Sequence, residues 1–269
     1  MSILKNIILL IMFSVIFITG DEGYVQTGQI DTQGDFIRSD ELGNIFLVDD
    51  NQLIKYNPEG EKLHTYTNLF SGDITFIDIQ DPFKVFIYYQ AFGQVEFLDQ
   101  SLSLTSSTID LNSLGLSLAT LACASYQGAF WVYDPTNFEL IRITQGLQIS
   151  ERSGNLQQVT GFTPQPNYML ERDNYLYLND PATGILIFDK YGSYFKTIPV
   201  KDLASFQVFD NKLIFVEKDT ISIYDTRLNE LSSTVLPMND AKSVSVCLSR
   251  DPQKLYMLRK DKLVLYDIK

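Results

Sequence analysis

Residues 53–61, LIKYNPEGE, run as an apolar strand that closes on one large side chain, Tyr56, and then breaks into a polar turn. The same phrase returns at 94–102 (QVEFLDQSL), 140–148 (LIRITQGLQ), 185–193 (ILIFDKYGS), 221–229 (ISIYDTRLN) and 263–269 (LVLYDIK). With Tyr56, Phe97, Ile143, Phe188, Tyr224 and Tyr266 as anchors, the spacings are 41, 46, 45, 36 and 42 residues. A repeat of this length made only of strands and turns is one four-stranded blade of a β-propeller. The widest spacing leaves no room for a hidden seventh blade.

Each repeat divides into four strands, a to d from the axis outward, but the sixth stops after its third, KLVLYDI. The segment GYVQTGQID (23–31) is an extra strand with no repeat of its own, and it runs into the first inner strand as the outer strands do. The expected fold is therefore an all-β, six-bladed propeller of four antiparallel strands per blade, with the N-terminal strand completing the last blade. Closure of this kind removes unpaired strand edges.

Repeat one, DELGNIFLVDDNQLIKYNPEGEKL (Asp40–Leu63), resembles an NHL repeat through Asp40, Gly43, Asn44, Ile45, Asp49, Tyr56 and Gly60. It departs at Leu53 and Ile54, where such blades prefer Arg-Ile, and later repeats match less well. The resemblance implies a six-bladed propeller and no particular activity, because propellers carry unrelated functions.

Residues 1–20, MSILKNIILLIMFSVIFITG, place Lys5 ahead of a 12-residue apolar run from Ile7 to Ile18. Spanning a bilayer takes about 20 residues, so the run reads as a secretory signal peptide cleaved near Gly20, with an uncleaved anchor as the alternative. The expected organisation is a signal at 1–20 and one propeller domain over 21–269, exported to the periplasm or associated with the outer membrane. No integral span is expected after cleavage. A net charge of −12 without a basic patch argues against nucleic acid, whose phosphates require clustered Lys and Arg. Cys123 and Cys247 fall on the inner strands of repeats three and six, which face each other across a six-bladed ring. That is too far apart for a disulfide, so both are expected buried and reduced.

Chemistry is sparse. His64 is the only histidine and falls on an outer strand, which leaves neither a histidine-built metal site nor a Ser-His-Asp triad. No P-loop, GxGxxG, GxSxG or HExxH motif occurs. Channel-facing polar candidates are Asp78, Glu171, Arg38 and Asp40. Asp78 and Glu171 would be the ligands of a metal-dependent lactonase- or lyase-like enzyme, the alternative reading, since hard cations take oxygen ligands. The inner strands of repeats three, five and six add no acid, so no catalytic residue and no cofactor is expected. A carbohydrate-binding propeller is a further alternative, weakened by Trp131, the only tryptophan, lying mid-strand.

The b–c turns and d–a connections of a propeller share one face. Its rim here carries Asp49, Asp50, Asp134, Asp180 and Asp219, while Phe92 and Phe138 sit in turns and Phe162 in a long connection (151–167) stiffened by Pro164 and Pro166. The expectation is a non-enzymatic protein-binding scaffold, an accessory subunit of a bacterial cell-envelope assembly. Phe92, Phe138 and Phe162 would be apolar anchors, and Asp134 and Asp180 would steer a basic protein partner.

Overall fold

A computed structural model describes residues 23–237, 243–250 and 254–269; the expected signal peptide at 1–20 lies outside the described residues. Strand β1 (Tyr24–Asp31) leads into blade one, formed by β2 (Phe36–Ser39), β3 (Ile45–Asp49), β4 (Gln52–Tyr56) and β5 (Lys62–Thr67). Blade two holds β6 (Phe76–Asp81), β7 (Lys84–Tyr89), β8 (Gln94–Asp99) and β9 (Ile109–Asp110). Blade three holds β10 (Leu121–Ala124), β11 (Phe130–Asp134), β12 (Glu139–Ile143) and β13 (Ile149–Arg152). Helix α1 (Leu156–Thr160) precedes blade four, which is β14 (Tyr168–Arg172), β15 (Tyr175–Asp180), β16 (Gly184–Asp189) and β17 (Tyr194–Ile198). Blade five is β18 (Gln207–Phe209), β19 (Lys212–Glu217), β20 (Thr220–Asp225) and β21 (Glu230–Val235). Blade six is β22 (Ser245–Leu248), β23 (Lys254–Leu258), β24 (Lys262–Ile268) and, on its outside, β1.

The ring closes as the sequence leads one to expect. β1 pairs antiparallel with β24 from Tyr24 opposite Ile268 to Asp31 opposite Lys262, with a bulge between Gln26 and Gly28. Second and third strands are sandwiched between neighbouring blades, so they read as unbroken apolar runs such as IFLVD, KVFIYY and FWVYD rather than as alternating patterns. The core is accordingly spread over the seams between blades. In one of them Phe86, Phe97 and Phe130 meet with Phe86 and Phe97 edge to face at 5.4 Å.

Turn chemistry repeats with the blades. In the c–d turns of blades one, two and four, Asn57, Asp99 and Asp189 each accept two backbone N–H groups from the turn that follows. These equivalent positions correct one anchor: the residue of blade two that matches Tyr56 and Phe188 is Leu98, one beyond Phe97. Phe97 instead pairs with Phe86 inside the seam.

The outer strand of blade two also differs from expectation. The stretch LSLTSST (102–108) makes only an isolated bridge between Leu104 and Leu98, and the regular strand β9 follows at Ile109. The Thr105 hydroxyl donates to the Phe97 carbonyl and the Thr108 hydroxyl to the Glu96 carboxylate. Thr105 thus reaches the Phe97 carbonyl with both its backbone N–H and its hydroxyl, and Thr108 turns to the buried Glu96.

A third repeat fixes the face. In every blade a backbone N–H just past the outer strand donates to a carbonyl in a b–c turn, the turn of the same blade or, for the closing strand, of blade six. The pairs are Thr32 to Asp261, Ile74 to Asp50, Leu111 to Gly93, Leu156 to Phe138, Asp202 to Pro181 and Leu236 to Asp219, at 2.7–3.2 Å. These six bonds stitch both sets of loops into one rigid face. Phe138 and Asp50 hold positive φ at the turns to present those carbonyls.

Candidate functional site: the axial channel and the loop face

The inner strands line the axis, and the channel has two unlike ends. At the a–b end Arg172 of blade four reaches Asp78 of blade two, Nη2 to Oδ1 at 2.8 Å, with the Asp78 side chain fully buried. Arg172 also donates to the Glu171 carbonyl, and Gln80 N donates to Asp78. Burial works against the charge of Arg172, but Asp78 beside it holds the guanidinium above its ordinary value. Further out, Arg250 pairs with Glu41 and Asp210. Ion pairs therefore bridge blades across this end.

Glu171 serves a different purpose. Its Oε2 accepts from Trp131 Nε1 at 2.6 Å and from the Ser125 hydroxyl at 2.7 Å, and Ser125 in turn accepts from Arg142 Nε. Desolvation pushes the Glu171 carboxyl up, with those hydrogen bonds pulling the other way. The two acids proposed as metal ligands thus sit in separate bonding networks. Among the described residues no group of three or more metal-ligating side chains converges. Asp40 caps the a–b turn of blade one, accepting from Leu42 N, Asn44 N and Asn44 Nδ2. Gly43 (φ +80°) completes that turn, and its carbonyl accepts from Tyr256 of blade six. The Asp-x-x-Gly-Asn pattern therefore specifies a turn that ties blade one to blade six.

Cys123 and Cys247 are buried free thiols on β10 and β22. Burial raises both, Cys247 to about 12, so neither is a thiolate nucleophile at neutral pH.

The opposite end opens as a funnel onto the b–c/d–a face. Phe76, Tyr168 and Phe206 form its waist in edge-to-face pairs 5.5 and 5.2 Å apart. The half-buried Arg38 guanidinium stands among them, 5.7 Å from the Tyr168 ring centre across the axis.

On the surrounding face the five singled-out residues are dispersed. Asp134 and Asp180 are buried and occupied by their own turns. Asp134 accepts from Thr136 N and Asn137 Nδ2, and Asp180 accepts from Gln165, Ala182 and Thr183 backbone N–H groups. Phe138 is half-buried, and Phe162 is half-buried against the cluster containing Trp131 and Phe188. Phe92 is 53% exposed on a single 3-10 turn (Gln90–Phe92), with its ring lying over Gly72.

Beside Phe92 lies a feature the sequence reading missed. Phe70 is 90% exposed and Leu69 76%. Their loop is nonetheless pinned: Asn68 Oδ1 accepts from Phe70 N, and Asn68 Nδ2 donates to Ser71 and to Glu96 Oε1 at 2.7 Å. Glu96 is buried and gathers Tyr66, Tyr89 and Thr108 as well. Burial, reinforced by Glu96, raises both tyrosine hydroxyls, so they remain donors. Exposed Asp35, Asp49, Asp50 and Asp73 surround this corner of the face. Asp49 is raised by partial desolvation and by Asp50 and Asp35.

No protein-family model matches the chain, and no curated protein matches its sequence. Solved structures share its shape. A chain of the mitotic checkpoint complex aligns with TM-score 0.65 at 10% identity, over 90% of this chain and 94% of that one. The WD40 domain of Neurospora crassa Pan2 aligns at 0.59 and 11%, over 91% and 95%. A catalytically inactive His-to-Ala variant of virginiamycin B lyase from Staphylococcus aureus, with quinupristin, aligns at 0.57 and 12%, over 91% and 100%. At these identities the likeness establishes the propeller fold alone.

Proposed function

We propose that the chain is an exported, non-enzymatic propeller that presents an apolar patch to a protein partner, as an accessory subunit of a bacterial cell-envelope assembly. The observation that carries this reading is Phe70, an almost fully exposed aromatic on a loop held rigid by a buried carboxylate. Exposed apolar side chains on an ordered frame are binding anchors, because docking then costs little ordering entropy. Phe92 and Leu69 extend the patch, and the half-buried Phe138 and Phe162 lie further round the same face. With Asp134 and Asp180 occupied by their turns, attraction of a basic partner falls to Asp49, Asp50 and Asp73.

Two observations weigh against a lyase-like activity. The lyase aligned above loses catalysis with one histidine, whereas the single histidine of this chain, His64, lies on the exposed outer strand β5. Asp78 and Glu171 are already held by Arg172, Trp131 and Ser125. Export rests on the apolar run at Ile7–Ile18, and a mature N-terminus near Asp21, read by intact mass, tests it.

The decisive experiment is native purification of tagged wild type beside a Phe70→Ser/Phe92→Ser variant from gently solubilised envelopes. Anchor residues contribute about 2 kcal/mol or more each, so the variant should recover its partner at least about tenfold less well, with an unchanged melting temperature. Equal recovery would remove this patch from the account.

A further inference from the structure

Arg38 stands where two cavities meet. One, of ≈300 Å³, is the axial funnel bounded by Phe36, Leu121 and Tyr168. The other, of ≈520 Å³, runs from the axis into the seam between blades five and six, against Phe206, Ile214, Val216, Val246 and Leu248. Both linings include Arg38, Ala204, Ser205, Val244 and Ser245, so the guanidinium lies at the junction of one continuous space.

Two features of this space point to a ligand. The first is electrostatic. Among the described residues no carboxylate pairs with Arg38. Its contacts are the Ile37 carbonyl at 2.8 Å, the Tyr168 hydroxyl, and the ring faces of Phe36 and Tyr168. Asp78, the acid on the neighbouring inner strand, is held by Arg172. A half-buried guanidinium in apolar surroundings gains substantially from an anion that takes up its donor fork. The second is packing. Val246 and Leu248 are only partly buried although they sit on an inner strand, and Val244 is 52% exposed. At the register of Val246 the inner strands of blades one, three and four carry Ile37, Ala122 and Met169, all covered almost completely. The seam between blades five and six therefore holds unfilled apolar space beside a cation.

We infer that this space binds a small organic monoanion: an apolar carboxylate whose head group pairs with Arg38 and whose body lies in the seam between blades five and six. Ser205 and Ser245 line both cavities with Arg38, and the Ser245 hydroxyl accepts from Ile37 N. A single guanidinium suits one negative charge. At the mouth Lys218 and Asp219 offset each other, and a chain of net charge −12 disfavours a dianion such as phosphate. This site is independent of the apolar patch around Phe70.

The test is calorimetric titration of the full-length protein with octanoate and 4-phenylbutyrate, set beside octanamide, 4-phenylbutyramide and inorganic phosphate. At least one acid should bind saturably at one site, its amide at least about tenfold more weakly, and phosphate more weakly still. Arg38→Gln should lower affinity for the acid at least about tenfold. Ala204→Trp, which fills the mouth and leaves Arg38 in place, should abolish binding, and it carries the test if the Arg38 variant does not fold. Absence of saturable binding of either acid up to about 10 mM would overturn the inference. So would equal binding of the amides, tighter binding of phosphate, or unchanged affinity in the folded variants.

Discussion

Glu171 illustrates how a carboxylate on an inner strand becomes structural rather than catalytic. It lies where Trp131 and Ser125 both need an acceptor, and burial raises its proton affinity. A folded-state value above the ordinary 4.5 means that its contribution to stability is complete below that pH and is lost as pH rises through the raised value. Glu171→Gln keeps an acceptor for Trp131 and removes the titration. Denaturant unfolding from pH 4 to 7 should therefore show wild type losing stability relative to Glu171→Gln as pH rises. A difference that is constant with pH, or that moves the other way, would refute this assignment. That role was not legible in NYMLE, where Glu171 reads as a channel-facing acid, because its partners Trp131 and Ser125 lie on another blade. Asp40, also read as channel-facing, is buried and caps a turn instead; its spacing to Gly43 and Asn44 carried the signal, and the structure uses all three residues as that turn.

At the scale of elements, the loop joining β5 to β6 is the part that sequence patterning conceals. Leu69-Phe70-Ser71-Gly72 reads as an ordinary connection, and its order derives from Glu96, a residue far along the chain inside the apolar run of β8. A charge within a strand whose neighbours are all buried is the one available signal, and it shows only once the strand is known to be covered on both faces. If Asn68 transmits that order, Asn68→Ala should raise amide hydrogen exchange across residues 67–72 and leave β7 and β8 protected. Exchange unchanged in that loop would mean that the Glu96 network does not hold it. The blade count, the closing strand and the turn positions were readable because they repeat. The outer strand of blade two was not, since the Thr105 and Thr108 hydroxyls turn to the Phe97 carbonyl and the Glu96 carboxylate, contacts that the stretch LSLTSST does not announce.

For the whole molecule, closure through β1 and β24 and the six loop-to-turn hydrogen bonds produce a rigid disc with two unlike faces. One end of the channel is bridged by ion pairs; the other opens onto the face that carries Phe70, Phe92 and an acidic border. A disc of this kind has nothing to gain from motion and is suited to presentation. On this reading that face is the one that meets a protein. The measurement that addresses it directly is site-specific photocrosslinking in the native cell, with the photoreactive residue placed at Phe70 or Phe92 and, for comparison, at the exposed Tyr191 in a turn of the opposite face. A discrete protein adduct from positions 70 and 92, absent from position 191, is the predicted result. Adducts from position 191 alone, or from none of the three, would contradict it.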